Sequence, residues 1–445
     1  MTTDGNTSPV RERARPRLQA LRERLVAAGT PEVVAELGRL DREERAVAFR
    51  LLPKDRAVDV FEDLDPALQR EIVEGLREDA VRELFAALDP DDRAPLLDEL
   101  PAGVASKLLH GLSAQERRHT TALLGYPEHS AGRRMSPEVA SVPAGTTVAA
   151  ALTRLREVGD DVETIYTVPV LGEGRQVVGV VSLRRLLVSD PGCVVDDVMA
   201  RPTVVRATDD LEHAANVVRD GGYVAVPVVD AEDRLLGLLT VDDAMRVLEA
   251  ADDEDSARTG GTEPLRRPYL STSVVAVFRS RIVWLFVLIL AATLTVGVQS
   301  YFEAELDAVV ALALFIPLLI GTGGNAGSQA ATTVVRAMAV GDVRPRDLAR
   351  VVGREASTGV LLGLALAVVG IGPAMLVAGP QIGVVLALTV VCVCTLATTV
   401  GSGVPLLART VGIDPAIVSA PFISTFVDTT GLVVYFTIAK AVLGI

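Results

Sequence analysis

The sequence contains few of the residues that build disulfide frameworks, metal knuckles and hydrolytic sites. Its 445 residues include three cysteines, four histidines and 4% aromatic side chains. The cysteines form no CxxC pair, which excludes a disulfide scaffold and a zinc knuckle. The histidines lack ligand spacings such as H-E-x-x-H, and no nucleophile with a nearby base can be identified. The sequence therefore predicts a protein that is not an enzyme.

Basic residues are scarce in the front part of the chain relative to acidic ones. The first 267 residues carry 34 basic and 49 acidic side chains, and the remainder carries nine and eight. Nucleic-acid backbones require clustered Lys and Arg, so the acidic front argues against a nucleic-acid partner and favours cations. The first 30 residues also lack an apolar core of signal-peptide length, which predicts that the N-terminus stays in the cytoplasm.

Leucine recurs every twelve residues in the first third of the chain. The series is Leu40, Leu52, Leu64, Leu76, Leu88, Leu100, Leu112 and Leu124. An apolar residue stands three positions before most of them, as Phe49, Phe61 and Phe85 do, which is the spacing of one helical face. Short helices of roughly nine residues are therefore predicted to stack into an α-solenoid. The pattern fits a regulatory surface or a plain scaffold.

A β-rich unit occurs in two copies after this repeat. Val168-Pro169-Val170 matches Val226-Pro227-Val228, and Gly179 matches Gly237, at one offset of 58 residues. The predicted order of strand, helix, strand, strand and helix in each copy resembles a tandem cystathionine-β-synthase (CBS) pair.

The CBS resemblance also implies a nucleotide site. In that family a Gly-x-x-Ser/Thr-x-x-Asp run places its final carboxylate on an adenosine ribose. The second copy matches it with Gly237, Thr240 and Asp243, whereas the first copy has Arg185 in the place of the Asp. ATP is thus the candidate ligand of the pair, and a module that only dimerises is the alternative.

Hydrophobic residues make up 49% of the chain, too many for an ordinary soluble protein, and they concentrate in the last third. Five runs are each near the length that crosses a bilayer as a helix. They are Ile282–Val298, Ala308–Gly324, Ala356–Ala378, Ile382–Ala408 and Ala416–Ala439. Arginines cluster before the first run and between the second and third, so the positive-inside rule predicts a cytoplasmic N-terminus and an outside C-terminus, with Lys440 as the dissenting charge.

Asp428 lies in the middle of the last run, where a carboxylate costs about 2.5 to 3.5 kcal/mol to insert. Ser424 and Thr425 share its helical face. A second polar patch, from Gly321 to Gln329, is predicted to end the second run and places Asn325 and Gln329 four residues apart. Because no Lys or Arg lies within the five runs, these groups are predicted to line an ion path.

The connection before the membrane part is strongly acidic. Five carboxylates occupy the seven positions from Glu249 to Asp255, and Gly260-Gly261 follows as a hinge. Such a run is usually a solvated linker. Its position directly before the first membrane run makes it a candidate for cation binding as well.

The combination of helical repeat, CBS pair, acidic connector and five spans, with Gly-Thr-Gly-Gly-Asn-Ala-Gly-Ser-Gln and Asp-Thr-Thr-Gly in the spans, resembles the MgtE family of magnesium channels. The resemblance implies a homodimer in the cytoplasmic membrane, with Asp428 of both subunits at the central cation site. It also implies that cytoplasmic Mg²⁺ binds carboxylates between the front domains and closes the pore.

The resemblance implies a set of sensor ligands. They are Asp59, Asp91, Asp210, Glu212, Asp243, Glu254 and Asp255. Asp243 is therefore a candidate for both ion and ribose binding, and the ionic role is favoured. Four positions depart from the family's acids: Pro95, Gly222, Arg246 and Ala251. The sensor is therefore expected to bind Mg²⁺ more weakly or to hold fewer ions.

The expected fold is multidomain. It comprises a segment 1–34, an α-solenoid 35–131, an α/β CBS pair 132–250, an acidic connector with a plug-type helix 251–279 and a five-helix transmembrane domain 280–445. The predicted function is a Mg²⁺-selective channel closed by cytoplasmic Mg²⁺. Two alternatives stay open, an ion-coupled divalent cation exchanger and a nucleotide-sensing membrane receptor that moves no ion.

Overall fold

The computed structural model of the chain describes residues 20–445 except Asp160, Arg266, Ile413 and residues 416–419, and it leaves the side chain of Asp55 undescribed. Contacts divide the chain into two units. The first extends to Ala251 and takes in the later segment that ends at Thr272, and the second comprises Asp252–Leu265 and Ser273–Ile445.

From Thr30 onward, the described part of the solenoid contains eight short helices that begin at intervals of twelve residues. They are α1 Thr30–Arg39, α2 Arg42–Phe49, α3 Lys54–Glu62, α4 Pro66–Gly75, α5 Glu78–Ala87, α6 Pro90–Glu99, α7 Ala102–Gly111 and α8 Ala114–Leu124. Asp41 and Ser113 cap two of the helices, and proline opens others, as Pro66 does. The repeat leucines are buried or pack against one common core, which confirms the predicted solenoid.

The two β-rich copies have the predicted order of elements. The first contains β1 Val142–Pro143, α10 Val148–Val158, β2 Thr167–Leu171, β3 Val177–Ser182 and α11 Leu183–Val188, after a short α9 Ala131–Arg134. After α12 Val195–Val198, the second contains β4 Val205–Arg206, α13 Leu211–Gly221, β5 Ala225–Val229, β6 Leu235–Thr240 and α14 Val241–Thr259. In each copy the first strand pairs parallel to the second and the second antiparallel to the third.

Each copy also receives a strand-like segment from the other. Ser136 bridges Leu238 of the second copy, and Ala200 bridges Val180 of the first. A methyl group on Gly237 would lie 2.6 Å from the Ser136 carbonyl oxygen, so the glycine permits this close approach. The exchange joins the two copies into one module.

The acidic connector begins as a continuation of the last CBS helix. Helix α14 runs without a break from Val241 to Thr259, because the carboxylate run contains no glycine or proline. It ends before Gly260 and Gly261, and Gly261 has the left-handed φ of 68° that glycine favours. A single 3₁₀ turn, Tyr269–Ser271, precedes the membrane helices.

Five helices among the described residues are long and apolar enough to span a membrane, which confirms the predicted count. The α-helical segments are α15 Val274–Tyr301, α17 Ile316–Ala339, α18 Leu348–Ala378, α19 Pro380–Thr410 and α20 Ala420–Leu443, with a short α16 Glu303–Ala308 after the first. A methyl on Gly363 would lie 2.5 Å from the Cα of Val391, and one on Gly359 would lie 2.6 Å from the Cα of Thr395, so these two glycines let α18 pack closely against α19.

The end of the second span differs most from the sequence prediction. The second span was expected to end at Gly324, but α17 continues through the polar patch to Ala339. Glycine weakens an isolated helix by about 1 kcal/mol each relative to alanine, which argues for a break on propensity alone. Close packing of α17 against α19 and α20 overrides that preference, since Gly323 and Gly327 are buried against side chains of these helices.

Candidate metal sites

Asp428 lies on α20, the last membrane helix, and is partly buried. Its Oδ1 is buried and has no hydrogen-bond partner among the described residues. A buried carboxylate oxygen without a donor is costly unless something else supplies positive charge. Asp428 therefore has an acceptor free for a cation or its water.

The backbone of α17 passes directly beside this carboxylate. A methyl added to Gly324 would overlap the Ser424 hydroxyl and would lie 3.5 Å from Asp428 Oδ1. The Thr425 hydroxyl donates to the carbonyl oxygen of Pro421 at 2.9 Å, one turn earlier in its own helix. Of the predicted pore residues, Ser424 and Asp428 are thus brought together against a glycine.

Asn325 and Gln329 lie on the exposed face of α17, together with Gly321. The glycines at 323, 324 and 327 are buried on the opposite side of the same helix. The patch is therefore two-sided, with small residues that pack inward and amides that face out of the subunit. Exposed amides in a membrane helix require polar partners or water.

A second acidic group lies within the first unit, at the edge of the solenoid. Carboxylate oxygens of Glu62, Asp89 and Asp92 all lie within 4.8 Å of one another. Glu62 ends α3, whereas Asp89 and Asp92 flank the first residues of α6. Three oxygen ligands at this separation suit a hard divalent cation such as Mg²⁺.

Asp91 and Asp243 extend this group toward the CBS pair. Asp91 is 4% exposed, and its Oδ1 has no hydrogen-bond partner among the described residues. Burial, and then the carboxylates of Asp243, Asp92 and Glu163, raise the pKa of Asp91 well above its usual value. Solenoid and CBS carboxylates therefore share one poorly solvated space.

The pKa values of the neighbouring acids move in the same direction. Burial, followed by the nearby Asp92 and Asp89, raises the pKa of Glu62 to about 8. Burial and Asp243 raise the pKa of Asp92 to about 7, while Arg246 opposes the shift. Burial and Asp89 raise the pKa of Glu163 to about 7. Ionised together, these groups repel one another, and a bound divalent cation would relieve that repulsion.

The other predicted sensor ligands are more dispersed. Asp59 is exposed on α3, and Glu212 is exposed on α13. Asp210 caps α13 by accepting the His213 N–H at 3.0 Å. Further along α14, in the second unit, Glu254 pairs with Arg258, and Asp255 also has an interaction partner. Among the predicted ligands, the structure thus places Asp91 and Asp243 together.

Sequence reasoning missed Glu62, Asp89, Asp92 and Glu163. A partial signal was present, because Asp89 and Asp92 are three residues apart at the start of a repeat helix and so share a face. No pattern in the sequence connects Glu62 or Glu163 to them, since their approach depends on how the solenoid packs on the CBS pair.

The residues of the predicted nucleotide site lie at the end of β6 and the start of α14. The Thr240 hydroxyl donates to Asp243 at 3.2 Å, and Gly237 packs under Ser136. None of the three lines the cleft of about 570 Å³ that opens between the two copies. Arg185 and Tyr223 do line that cleft. The ionic role of Asp243 stays a prediction.

Comparisons with known proteins cover nearly the whole chain. A family model described as "Divalent cation transporter" matches residues 316–438, one described as "MgtE intracellular N domain" matches 29–129, and one for the CBS domain matches 131–191 and 195–250. A magnesium transporter MgtE of Thermus thermophilus is 38% identical over 96% of this chain and 95% of its own length. One of Enterococcus faecalis is 34% identical over 74% of this chain and 72% of its own.

Among solved structures, the cytosolic domain of the Mg²⁺ channel MgtE in complex with ATP is similar over 52% of this chain and 94% of that chain, with 37% identity and a TM-score of 0.48. The matched regions follow the same order as the solenoid, the CBS pair and the membrane helices described above.

Proposed function

The chain belongs to the MgtE family of divalent cation transporters, and from this premise we propose that it is a homodimeric Mg²⁺ channel of the cell membrane. Its front domains lie in the cytoplasm and its C-terminus outside. Asp428 of the two subunits forms the central cation site, and cytoplasmic Mg²⁺ closes the pore. The observation that carries the proposal is the buried, unpartnered Asp428 Oδ1 in a membrane helix.

The chemistry of Mg²⁺ supports a site of this kind. Mg²⁺ gives up its water shell reluctantly and is bound through few carboxylates with several waters kept. Two aspartates related by a two-fold axis, with hydroxyl and amide groups nearby, offer charge without a dry cage. Ser424 beside Asp428 and the outward amides of Asn325 and Gln329 supply those polar groups.

The exposed amides of α17 also support the dimer. A polar face toward lipid is unfavourable, whereas a second copy of the same face would enclose a polar path. Membrane potential and concentration suffice to drive Mg²⁺ inward through such a path, so no coupling ion is needed.

The carboxylate group between the solenoid and the CBS pair supports the regulatory part. Its carboxylates repel one another when they are ionised and no cation is bound, which disfavours close contact of the two domains. They are those of Glu62, Asp89, Asp91, Asp92 and Asp243. Mg²⁺ binds the closed arrangement better than the open one and so shifts the population toward it.

A nucleotide site is a second, separate proposal. The cleft between the CBS copies has about 570 Å³ and is lined by Tyr166, Tyr223, Arg185 and Arg201. Aromatic rings suit a purine, and guanidinium groups suit phosphates. ATP is therefore expected to bind at the Arg185 side of the pair rather than at Asp243.

The test of the pore is Mg²⁺ flux into liposomes that contain the purified Asp428→Asn protein. The substitution removes one formal charge per subunit at nearly constant size, and we expect flux to fall to background while the dimer persists on size exclusion. Asp307→Asn, which changes an exposed acid outside the spans, is the matched control and should keep full flux.

Three outcomes separate the candidate functions. Unchanged flux in Asp428→Asn would remove Asp428 from the pore. Flux in the parent that requires a proton or sodium gradient would favour the coupled exchanger. No flux in the parent under any gradient would favour the nucleotide-sensing receptor.

A further inference from the structure

Arg246 contacts three carboxylates that come from two domains. On α14, its guanidinium donates to Asp63 Oδ1 at 2.8 Å and to Asp243 Oδ1 at 3.4 Å, and it lies 3.8 Å from Asp92 Oδ1. Asp63 directly follows the last residue of α3 and Asp92 lies in the first turn of α6, so both belong to the solenoid. A single side chain from the CBS pair thus binds the ends of two solenoid helices.

The surroundings of Arg246 are strongly acidic. Glu62, Asp89 and Asp91 belong to the same carboxylate group, and Glu163 approaches from the CBS side. Arg134 is a second basic side chain whose charge acts on both Asp92 and Asp243. Carboxylates therefore outnumber the arginines at the junction, and each arginine removes part of the repulsion that would separate the domains.

We propose that Arg246 is a resident counter-cation that holds the solenoid against the CBS pair without Mg²⁺. The ion then neutralises the remaining carboxylates, so closing the front domains requires fewer bound ions than an all-acid junction would need. This inference rests on the proposed regulation by cytoplasmic Mg²⁺. It identifies Arg246 as the group that holds the two domains in contact before Mg²⁺ binds.

Arg246 is suited to this role because of its geometry. Its fixed fork of N–H donors allows it to reach Asp63 through one nitrogen and Asp92 and Asp243 through the other. It is always charged, unlike a bound ion, whose occupancy depends on concentration. Its side chain is 37% exposed, so replacement by glutamine leaves the core intact.

The experiment is hydrogen exchange by mass spectrometry on the full-length protein in nanodiscs, in EDTA and then in saturating Mg²⁺. The readout is exchange in peptides that cover the C-terminal end of α3 and the start of α6. In EDTA we expect Arg246→Gln to exchange about two- to fivefold faster there than the parent, the range that partly exposed ion pairs provide. Saturating Mg²⁺ should restore protection in both proteins.

Two further variants control for folding and for nonspecific charge effects. Asp63→Asn removes the partner on the solenoid side and should increase exchange in EDTA by less than Arg246→Gln does. The variant that carries both substitutions should increase exchange by less than the sum of the two single increases. Arg219→Gln removes an exposed arginine that pairs with its neighbour Asp220, and it should exchange like the parent.

Equal exchange of the parent and Arg246→Gln in EDTA would overturn the inference, as would greater protection in the variant. If the EDTA difference holds but Mg²⁺ protects none of the proteins, the Arg246 contact stands and the proposed Mg²⁺ sensor fails. The EDTA measurement therefore tests the role of Arg246, and the Mg²⁺ measurement tests the proposed sensor.

Discussion

Gly324 and Ser424 set the separation of α17 and α20 beside Asp428. A methyl on Gly324 would overlap the Ser424 hydroxyl, so even alanine must displace that side chain or the helix. Gly372 lies on the exposed face of α18 and has nothing within 4 Å of an added methyl. The two glycines form a natural pair of test and control.

We expect Gly324→Ala to reduce Mg²⁺ flux severalfold, because overpacking typically costs about 1 to 3 kcal/mol and moves the carboxylate. Gly372→Ala should leave flux near the parent value. Adding Ser424→Ala to Gly324→Ala should recover part of the loss by removing the overlapping hydroxyl. Full flux in Gly324→Ala would mean that the close approach of the two helices does not shape the ion path.

Substitutions at Arg185 and Asp243 are expected to affect the stabilisation by ATP and by Mg²⁺ separately. Arg185→Glu should lose the thermal stabilisation that ATP gives, which is about 2.7 kcal/mol at a hundredfold excess over Kd, and should keep the response to Mg²⁺. Asp243→Asn should keep the ATP effect and respond less to Mg²⁺. Calorimetry of the purified full-length protein measures both, and the reverse pattern would return Asp243 to ribose binding.

Lys440 is the charge that disagreed with the predicted orientation of the spans. It donates to Glu305 Oε1 at 2.6 Å, so α20 ends in an ion pair with α16. The Lys440 hydrogen bond lowers the pKa of Glu305. The pairing accounts for a lone lysine at that end of the helix without reversing the proposed topology.

The exposed face of α17 predicts which side of the membrane helices meets the second subunit. Its outward amides, Asn325 and Gln329, are proposed to face the second subunit across the ion path. Val368 on α18 is 78% exposed and apolar, as expected of a lipid-facing position.

In a background with Cys193, Cys392 and Cys394 replaced by serine or alanine, we expect Asn325→Cys to form covalent dimers with a short bis-maleimide. Val368→Cys should give far less under the same conditions. Gel electrophoresis of membranes measures the dimer band. Efficient cross-linking at Val368 together with none at Asn325 would place a different face of the membrane unit at the subunit interface.

At the scale of the whole molecule, deletion of residues 1–130 should leave a channel that stays open at cytoplasmic Mg²⁺ levels that close the full-length protein. The deletion removes Glu62, Asp89, Asp91 and Asp92, and with them most of the differential affinity for the closed arrangement. Flux against internal Mg²⁺ measures the effect, with equal flux in chelator as the control. An identical Mg²⁺ dependence would exclude the solenoid from regulation.

The sequence by itself determined the elements. The twelve-residue leucine period predicted a stack of short helices, because each unit must bury one apolar face, and the observed helices begin at Thr30, Arg42, Lys54 and onward at that interval. The offset of 58 residues predicted two copies whose strands pair alike, as Val168 with Val181 and Val226 with Leu239 do. Five apolar runs predicted five spans, since span length follows bilayer thickness.

The continuity of α17 and the contacts among the charged side chains depend on tertiary packing. Propensity placed a break at Gly324, yet burial of the glycine face against neighbouring helices kept α17 continuous to Ala339. The gathering of Glu62 with Asp89 and Asp92, and the reach of Arg246 to Asp63, join residues that are far apart in the chain. Such contacts depend on how whole helices stack, and periodicity in a sequence specifies which face a residue occupies but not what that face meets.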